Sequence, residues 1–185
     1  MAADQHQPTL TTSRLTLRPF DLSDAPAVQR QAGDRRVYQT TLRIPHPYKL
    51  ADAESWLAGS ARRYAEGQSI EFAATLTATG ELVGCIGLEI TPVHRHAELG
   101  YWIGPDHWSC GYATEAGRAI LDFAFNTLGL HRVHVHHFAE NTASARVIEK
   151  LGFQREGLAR QHVYKDGQPI DIVLYGLLAS QYMPQ

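Results

Sequence analysis

YWIGPDHWSCGYATEAGRAILDFAF (Tyr101–Phe125) decides how the rest of the chain is read. Its start, with the preceding Glu98-Leu99-Gly100, is an apolar strand. The strand breaks at Pro105, passes through a short polar loop and becomes a helix of good formers after Gly111. A strand that feeds a loop and then a helix leaves several N–H groups unpaired at the helix start. Those donors, with the positive end of the helix dipole behind them, can hold a phosphate. The amides of Cys110, Gly111, Tyr112, Ala113 and Thr114 are the candidate donors, and Gly111 lets an anion approach with no side chain in the way. The alternative is a tight turn into an ordinary helix. No Gly-Lys-Ser/Thr follows, so this is not a Walker A loop, and no G-x-G-x-x-G is present.

Outward from this stretch, composition sets the class. The chain has 185 residues, 44% apolar and 19% charged, with a net charge of -2. That describes one globular domain with a sizeable core and gives no electrostatic reason to expect nucleic acid or an anionic membrane as partner. The N-terminus MAADQHQPTL lacks a basic-then-apolar leader, and no apolar run reaches membrane-spanning length, so we expect a cytoplasmic protein. Cys85 and Cys110 are the two cysteines. Without CxxC spacing they read as free thiols.

Residues 1–12 read as a flexible tail and residues 13–180 as one domain. Arg14–Phe20 alternates Leu15 and Leu17 against Thr16 and Arg18, the pattern of a strand. Asp21 and Ser23 offer N-caps to a helix containing Pro26 in its first turn. Residues 33–49 hold Gly33, Pro45 and Pro47 and read as a long broken loop. Leu50–Glu66 reads as a second helix ended by Gly67. Three strand candidates follow, Ile70–Thr77, Glu81–Ile90 and His94–Ile103, joined by short links as an antiparallel meander. Gly84 and Gly87 inside the second imply a bulge or a close neighbour. After a helix over Thr114–Leu128 come a strand at Val133–Phe138, a helix from Glu140–Asn141 to Lys150, and two strands, Phe153–Tyr164 and Pro169–Leu178, turned by Lys165-Asp166-Gly167. The crossover after the meander requires a parallel pair, so the sheet is mixed. The fold class is α+β, with about seven strands and about four helices.

ELGYWIGPDHWSCGYATEA followed by NTASARVIEKLGF resembles the GNAT acyl-CoA N-acyltransferases, and most of all the branch of ribosomal-protein alanine N-acetyltransferases. The likeness extends from RLTLRPF to the closing strand pair. It implies the GNAT fold, a central sheet with two splayed parallel strands, acetyl-CoA as co-substrate, no metal, and a monomer or homodimer. It implies that the pyrophosphate sits on the amides of Ser109–Thr114 beside Trp108. Ser109 and Cys110 stand where the branch more often has Gly and a basic residue, which removes one phosphate-facing charge. It further implies that the pantetheine arm fills the splay beside Leu99, Tyr101 and Ile103, with Trp102 on the same strand.

For the chemistry, Glu98 is the candidate general base: N-acetylation needs an amine that has lost its proton, and a carboxylate on this strand accepts it directly or through water. The other reading is a Glu that caps a loop or pairs with Arg95 or Arg118. Asn141 is a natural N-cap, and the resemblance adds a contact to the pantetheine arm. Many relatives carry a Tyr acid where this chain has Ile148. The resemblance gives Ser144 the sulfur of the thioester instead, where a hydroxyl steadies a developing thiolate; otherwise Ser144 bonds a carbonyl of its own helix.

His134 and His136 share one strand face, and His94 with His96 another; with no accompanying Cys, a surface or structural role is favoured over zinc. Cys110, near a helix start, offers a covalent acyl-Cys route, with direct transfer preferred. The acceptor site is expected where residues 36–48 meet the turn 163–169, lined by Tyr38, Tyr48, Tyr164 and Asp166 with Glu98. The acceptor is a primary amine, on a peptide N-terminus or a small molecule. The alternative function is a non-catalytic module that binds or senses acyl-CoA, motivated by the missing Tyr and the altered Ser109-Cys110 pair.

Overall fold

The computed structural model describes residues 6–183. Eight strands form one sheet: β1 (Leu10–Thr11), β2 (Leu15–Pro19), β3 (Ser69–Leu76), β4 (Leu82–Thr91), β5 (His96–Ile103), β6 (Arg132–Phe138), β7 (Gln154–Lys165) and β8 (Gln168–Leu178). Five α-helices accompany them: α1 (Ala25–Ala32), α2 (Arg35–Thr40), α3 (Leu50–Ala65), α4 (Tyr112–Asp122) and α5 (Thr142–Lys150). The strand order is β1-β2-β3-β4-β5-β6-β8-β7. Short links make β3, β4 and β5 antiparallel neighbours, and the crossover through α4 returns the chain parallel, pairing β6 with β5. The β7–β8 hairpin turns on Asp166 and Gly167, both at positive φ, the two-residue turn whose twist matches antiparallel strands. Among the described residues no helix is long and apolar enough to cross a membrane.

The sheet is covered on both faces. One carries the main core, in which Leu15, Phe72, Ile86 and Leu99 pack with Ile120 of α4 and Ile148 of α5. The other carries a smaller cluster of Val28, Ala32, Ala53 and Leu57 from α1 and α3 against Ala73 and Leu82. Gly84 and Gly87 fill the roles expected of them. The β3–β4 register slips between Ala74 and Thr75, and a Cβ at Gly84 would lie 2.3 Å from the Trp102 carbonyl and one at Gly87 2.7 Å from that of Ile70.

Three local expectations change. Residues 33–49 are not wholly loop: Asp34 accepts the Arg36 amide and caps α2, a signal hidden by the Pro-rich run after it. The segment 1–12 is not loose throughout, since Leu10 and Thr11 pair with Leu17 and Thr16 and Gln7 bonds the Glu71 carbonyl; its first five residues lie outside the described residues. Eight strands and five helices stand where about seven and four were expected.

Candidate active site

Parallel pairing between β5 and β6 runs over three residue pairs only, His96–Arg132, Ala97–Val133 and Glu98–His134. Beyond Glu98 the strands part, and β6 continues against β8 alone. The Gly104 amide bonds the Val83 carbonyl of β4. Strand alternation therefore turns the main chain of Ile103, Tyr101 and Leu99 away from β4 and toward the gap. The Ile103 carbonyl is taken there by the Trp108 indole N–H at 2.7 Å, which ties the loop to the strand end. Leu99 and Ile103 are buried and Tyr101 is half-buried. Trp102 does not join them: it pairs with Cys85 of β4, and its side chain packs on the opposite face with the α1–α3 cluster.

The loop after β5 ends at α4, which has no side-chain cap. Among the described residues, none of the amides of Ser109, Cys110, Gly111, Tyr112, Ala113 and Thr114 has an acceptor; the first helical bond is Glu115 N–H to the Gly111 carbonyl. Ser109 and Gly111 both lie at positive φ, 61° and 83°. Alternating left- and right-handed residues turn successive N–H groups to one side and form an anion-binding concavity. A non-glycine residue held in that region is strained, so the surroundings must impose it. They do so through Glu115. Its carboxylate accepts from Thr12 Oγ1, Ser13 Oγ, the Arg14 amide and Arg14 Nε at 2.6, 3.1, 2.8 and 2.7 Å. Arg14 also donates to the Cys110 carbonyl and lies over the Tyr112 ring. Burial pushes the Glu115 carboxyl up, and the hydrogen bonds from Thr12, Arg14 and Ser13 outweigh it and hold the group below its ordinary value. Sequence reasoning did not single out Arg14 or Glu115, because their partners lie about a hundred residues away.

On the α4–α5 face of the gap, the Tyr101 hydroxyl meets Ser144 Oγ at 2.7 Å. Burial pushes the Tyr101 phenol up to about 12, against the hydrogen bond from Ser144, so the phenol stays protonated. Asn141 caps α5, its Oδ1 accepting the Ser144 amide at 3.1 Å. The cap fixes the first turn and aims Ser144 at the strand. Ile148 is fully buried in the main core. Sequence reasoning placed Tyr101 beside the gap but missed its hydroxyl as the partner of Ser144.

Glu98 faces the other way. His136 Nδ1 lies 3.2 Å from Oε1, hydrogen-bond length, and His134 Nε2 lies 3.6 Å from Oε2, an ion-pair contact. Together the imidazoles of His134 and His136 hold the Glu98 carboxyl well below the usual carboxylate range, against the opposing effect of burial. Glu98 therefore pairs with neither Arg95 nor Arg118; Arg95 donates to the Gly129 carbonyl instead. The His96 ring stands edge-on to His134, centroids 5.2 Å apart, and stacks with His94. Among the described residues, no three His, Cys, Asp or Glu side chains are arranged to hold a metal ion.

The long loop meets the β7–β8 turn as expected at two positions: the Tyr38 hydroxyl donates to Asp166, and the Lys165 ammonium lies 3.4 Å from the centre of the Tyr38 ring. Two other expected lining residues sit elsewhere. Tyr48 packs with the α1–α3 cluster, and Tyr164, 73% exposed, points to solvent from the hairpin. Cys110 is exposed in the loop, its thiol against the Trp108 carbonyl, and Cys85 is buried, which pushes its thiol up.

Residues 14–154 match the acetyltransferase (GNAT) domain family. The chain is 34% identical over 172 residues to the uncharacterized N-acetyltransferase YoaA of Bacillus subtilis, covering 92% of this chain and 97% of that one. It is 38% identical over 122 residues to the putative ribosomal N-acetyltransferase YdaF of the same organism, covering 65% and 66%. Among solved structures it superposes on Mycobacterium smegmatis RimJ in complex with CoA-disulfide at a TM-score of 0.82 and 27% identity, covering 92% of this chain and 84% of that one.

Proposed function

This chain belongs to the acetyltransferase (GNAT) domain family, and from that premise we propose that it moves an acetyl group from acetyl-CoA to the α-amine at the N-terminus of a peptide by direct attack. The observation that carries the reading is the gap beyond Glu98, where β5 and β6 cease to pair, flanked by a loop of unpaired amides. CoA fits that arrangement: amides turned to one side suit a diphosphate, and an unpaired strand edge suits the two amide groups of a pantetheine arm. In this reading Ser109–Thr114 hold the pyrophosphate beside Trp108, and Leu99, Tyr101 and Ile103 line the arm with Asn141 across from them.

The two faces divide the work. Tyr101 and Ser144 lie on the α5 side, where one hydroxyl donates to the other and the remaining O–H is free to donate to the sulfur as the C–S bond breaks. Glu98 lies on the opposite side, where the amine arrives and loses its proton. An alternation of strand faces thus keeps the proton acceptor away from the leaving group.

The preference for an α-amine rests on charge. Glu98 is engaged by His134 and His136, Glu89 by Arg43, Glu156 by Arg132 and Asp166 by Tyr38. These carboxylates are already engaged, which disfavours the second and third ammonium groups of a polyamine, whereas an α-amine needs only one site and titrates nearer neutrality. YdaF is named for a ribosomal acceptor, which agrees with this choice. The test is release of CoA thiol with a panel of free N-terminal peptides, spermidine and aminoglycosides. Turnover is expected with peptides, at a kcat/KM at least tenfold above that with spermidine. The reverse order overturns the acceptor assignment. Binding of acetyl-CoA without thiol release on any amine makes the chain an acyl-CoA sensor.

A further inference from the structure

We propose that the proton acceptor for the incoming amine is the imidazole pair His134–His136, with Glu98 as the anion that orients the two rings and stabilises the proton once they hold it. This rests on the acetyl-transfer reading above and names the atoms on the amine side of the same site.

The geometry supports it in three ways. His134 and His136 project from alternate positions of β6 onto one face, one on either side of the Glu98 carboxylate, at 3.6 and 3.2 Å. His136 turns Nδ1 to the carboxylate and His134 turns Nε2 to it. A neutral imidazole that turns an N–H to Glu98 keeps a lone pair on its other nitrogen, where it can accept a proton. The two side chains are about a third exposed, 32% and 29%, within reach of an acceptor and of water.

The chemistry favours the imidazoles over the carboxylate. Proton transfer is most effective when the pKa of the base lies near the working pH. The Glu98 carboxyl, held well below the usual carboxylate range by His134 and His136, is a weak base, which leaves the ring nitrogens turned away from it as the candidate acceptors. The remaining groups around the pair complete the electrostatics. His96 stands against His134 on the β5 side, and burial, with His134 and His94 adding, holds His96 below its ordinary value. Arg132 on β6 and Glu156 on β7 neutralise one another at 2.6 Å. Arg43 is paired to Glu89 on the far side of Glu98. Glu98 is thus the carboxylate committed to the imidazoles.

The step balances without another reactant. The amine nitrogen forms its bond to the thioester carbon, and the C–S bond breaks. The displaced N–H proton goes to His134 or His136 and from there to water. The sulfur, leaving beside Tyr101 and Ser144, takes its proton from solvent.

The experiment compares His134→Gln, His136→Gln, the double variant and Glu98→Gln, with acetyl-CoA thermal shifts confirming an intact cleft in each. The double variant is expected to lose about a hundredfold in kcat/KM for the amine, with KM for acetyl-CoA changed less than threefold. A His136→Ala variant is expected to regain activity with added imidazole, in proportion to its free-base fraction. A double variant that keeps more than half the wild-type rate, or a His136→Ala variant that added imidazole does not rescue, overturns the proposal while leaving acetyl transfer standing. Wild-type protein that releases no CoA thiol with any amine overturns the acetyl-transfer reading itself, and this proposal with it.

Discussion

Ser144 and Tyr101 illustrate how much one residue pair changes the chemistry. A lone serine hydroxyl is a poor acid, but a serine bonded to a half-buried phenol is part of a hydrogen-bonded pair that keeps one O–H free in a fixed place. Ser144→Ala and Tyr101→Phe are each expected to lower kcat by roughly tenfold or more, while KM for acetyl-CoA stays within about threefold; stopped-flow or steady-state thiol release measures both. Because burial pushes the Tyr101 phenol up to about 12, it stays a neutral donor at lower pH. The ratio of wild-type to Tyr101→Phe rates is therefore expected to be constant from about pH 6 to pH 10, and a ratio that climbs or falls through neutrality removes the phenol from the mechanism. Ile148 makes the complementary point. Its side chain is fully buried among core residues. Ile148→Tyr is expected to destabilise the fold by about 1–3 kcal/mol through overpacking, and to raise no activity. Denaturant unfolding and thiol release check the two halves of that statement.

The element that matters most is the β5–loop–α4 unit. Its loop holds two left-handed residues, Ser109 and Gly111, and is fixed from outside by Thr12, Ser13 and Arg14 acting on Glu115. Gly111→Ala forces a Cβ into the left-handed region, 3.4 Å from an Arg14 nitrogen. It is expected to weaken acetyl-CoA binding by about tenfold or more, read by calorimetry, with a stability loss on the order of 1 kcal/mol. Glu115→Gln removes the charge from a carboxylate accepting four hydrogen bonds and is expected to cost about 1.5–3 kcal/mol near neutral pH. The sign with pH follows from the lowered carboxyl. A depressed acid contributes its stability above its unfolded value of about 4.3 and loses it as pH falls through the lower folded value. The stability gap between wild type and Glu115→Gln is therefore expected to be full at pH 7 and to shrink below about pH 4. A gap that stays constant down to pH 3 removes ionised Glu115 as the clamp.

For the whole molecule, the sheet is one layer with a local opening, and the opening is where both helical layers and both halves of the sheet can contribute to a site. A ligand that fills it binds the folded state alone. Acetyl-CoA at a hundred times its Kd is expected to stabilise the fold by about 2.7 kcal/mol, raising Tm by about 5–10 °C; no shift at any concentration removes the cofactor assignment. Much of this architecture was legible in the sequence. Alternation in RLTLRPF, the glycines of β4, the break at Pro105 and the Asn141 cap are local signals, set by backbone geometry within a few residues, and they gave the mixed sheet, the loop and the N-terminus of α5. The α2 helix was obscured because Pro45 and Pro47 dominate its surroundings, although its cap at Asp34 is local too. The site contacts are of a different kind. Strand alternation alone places Glu98 and Tyr101 on opposite faces, but nothing local joins Tyr101 to Ser144, 43 residues on, or sets Glu98 between His134 and His136. Local sequence determined which elements form and which residues share a face, because those depend on repeat and steric preference. Only the tertiary structure decided where β5 and β6 part and which side chains meet across the opening, because strand register and sheet order are fixed by the packing of the entire chain.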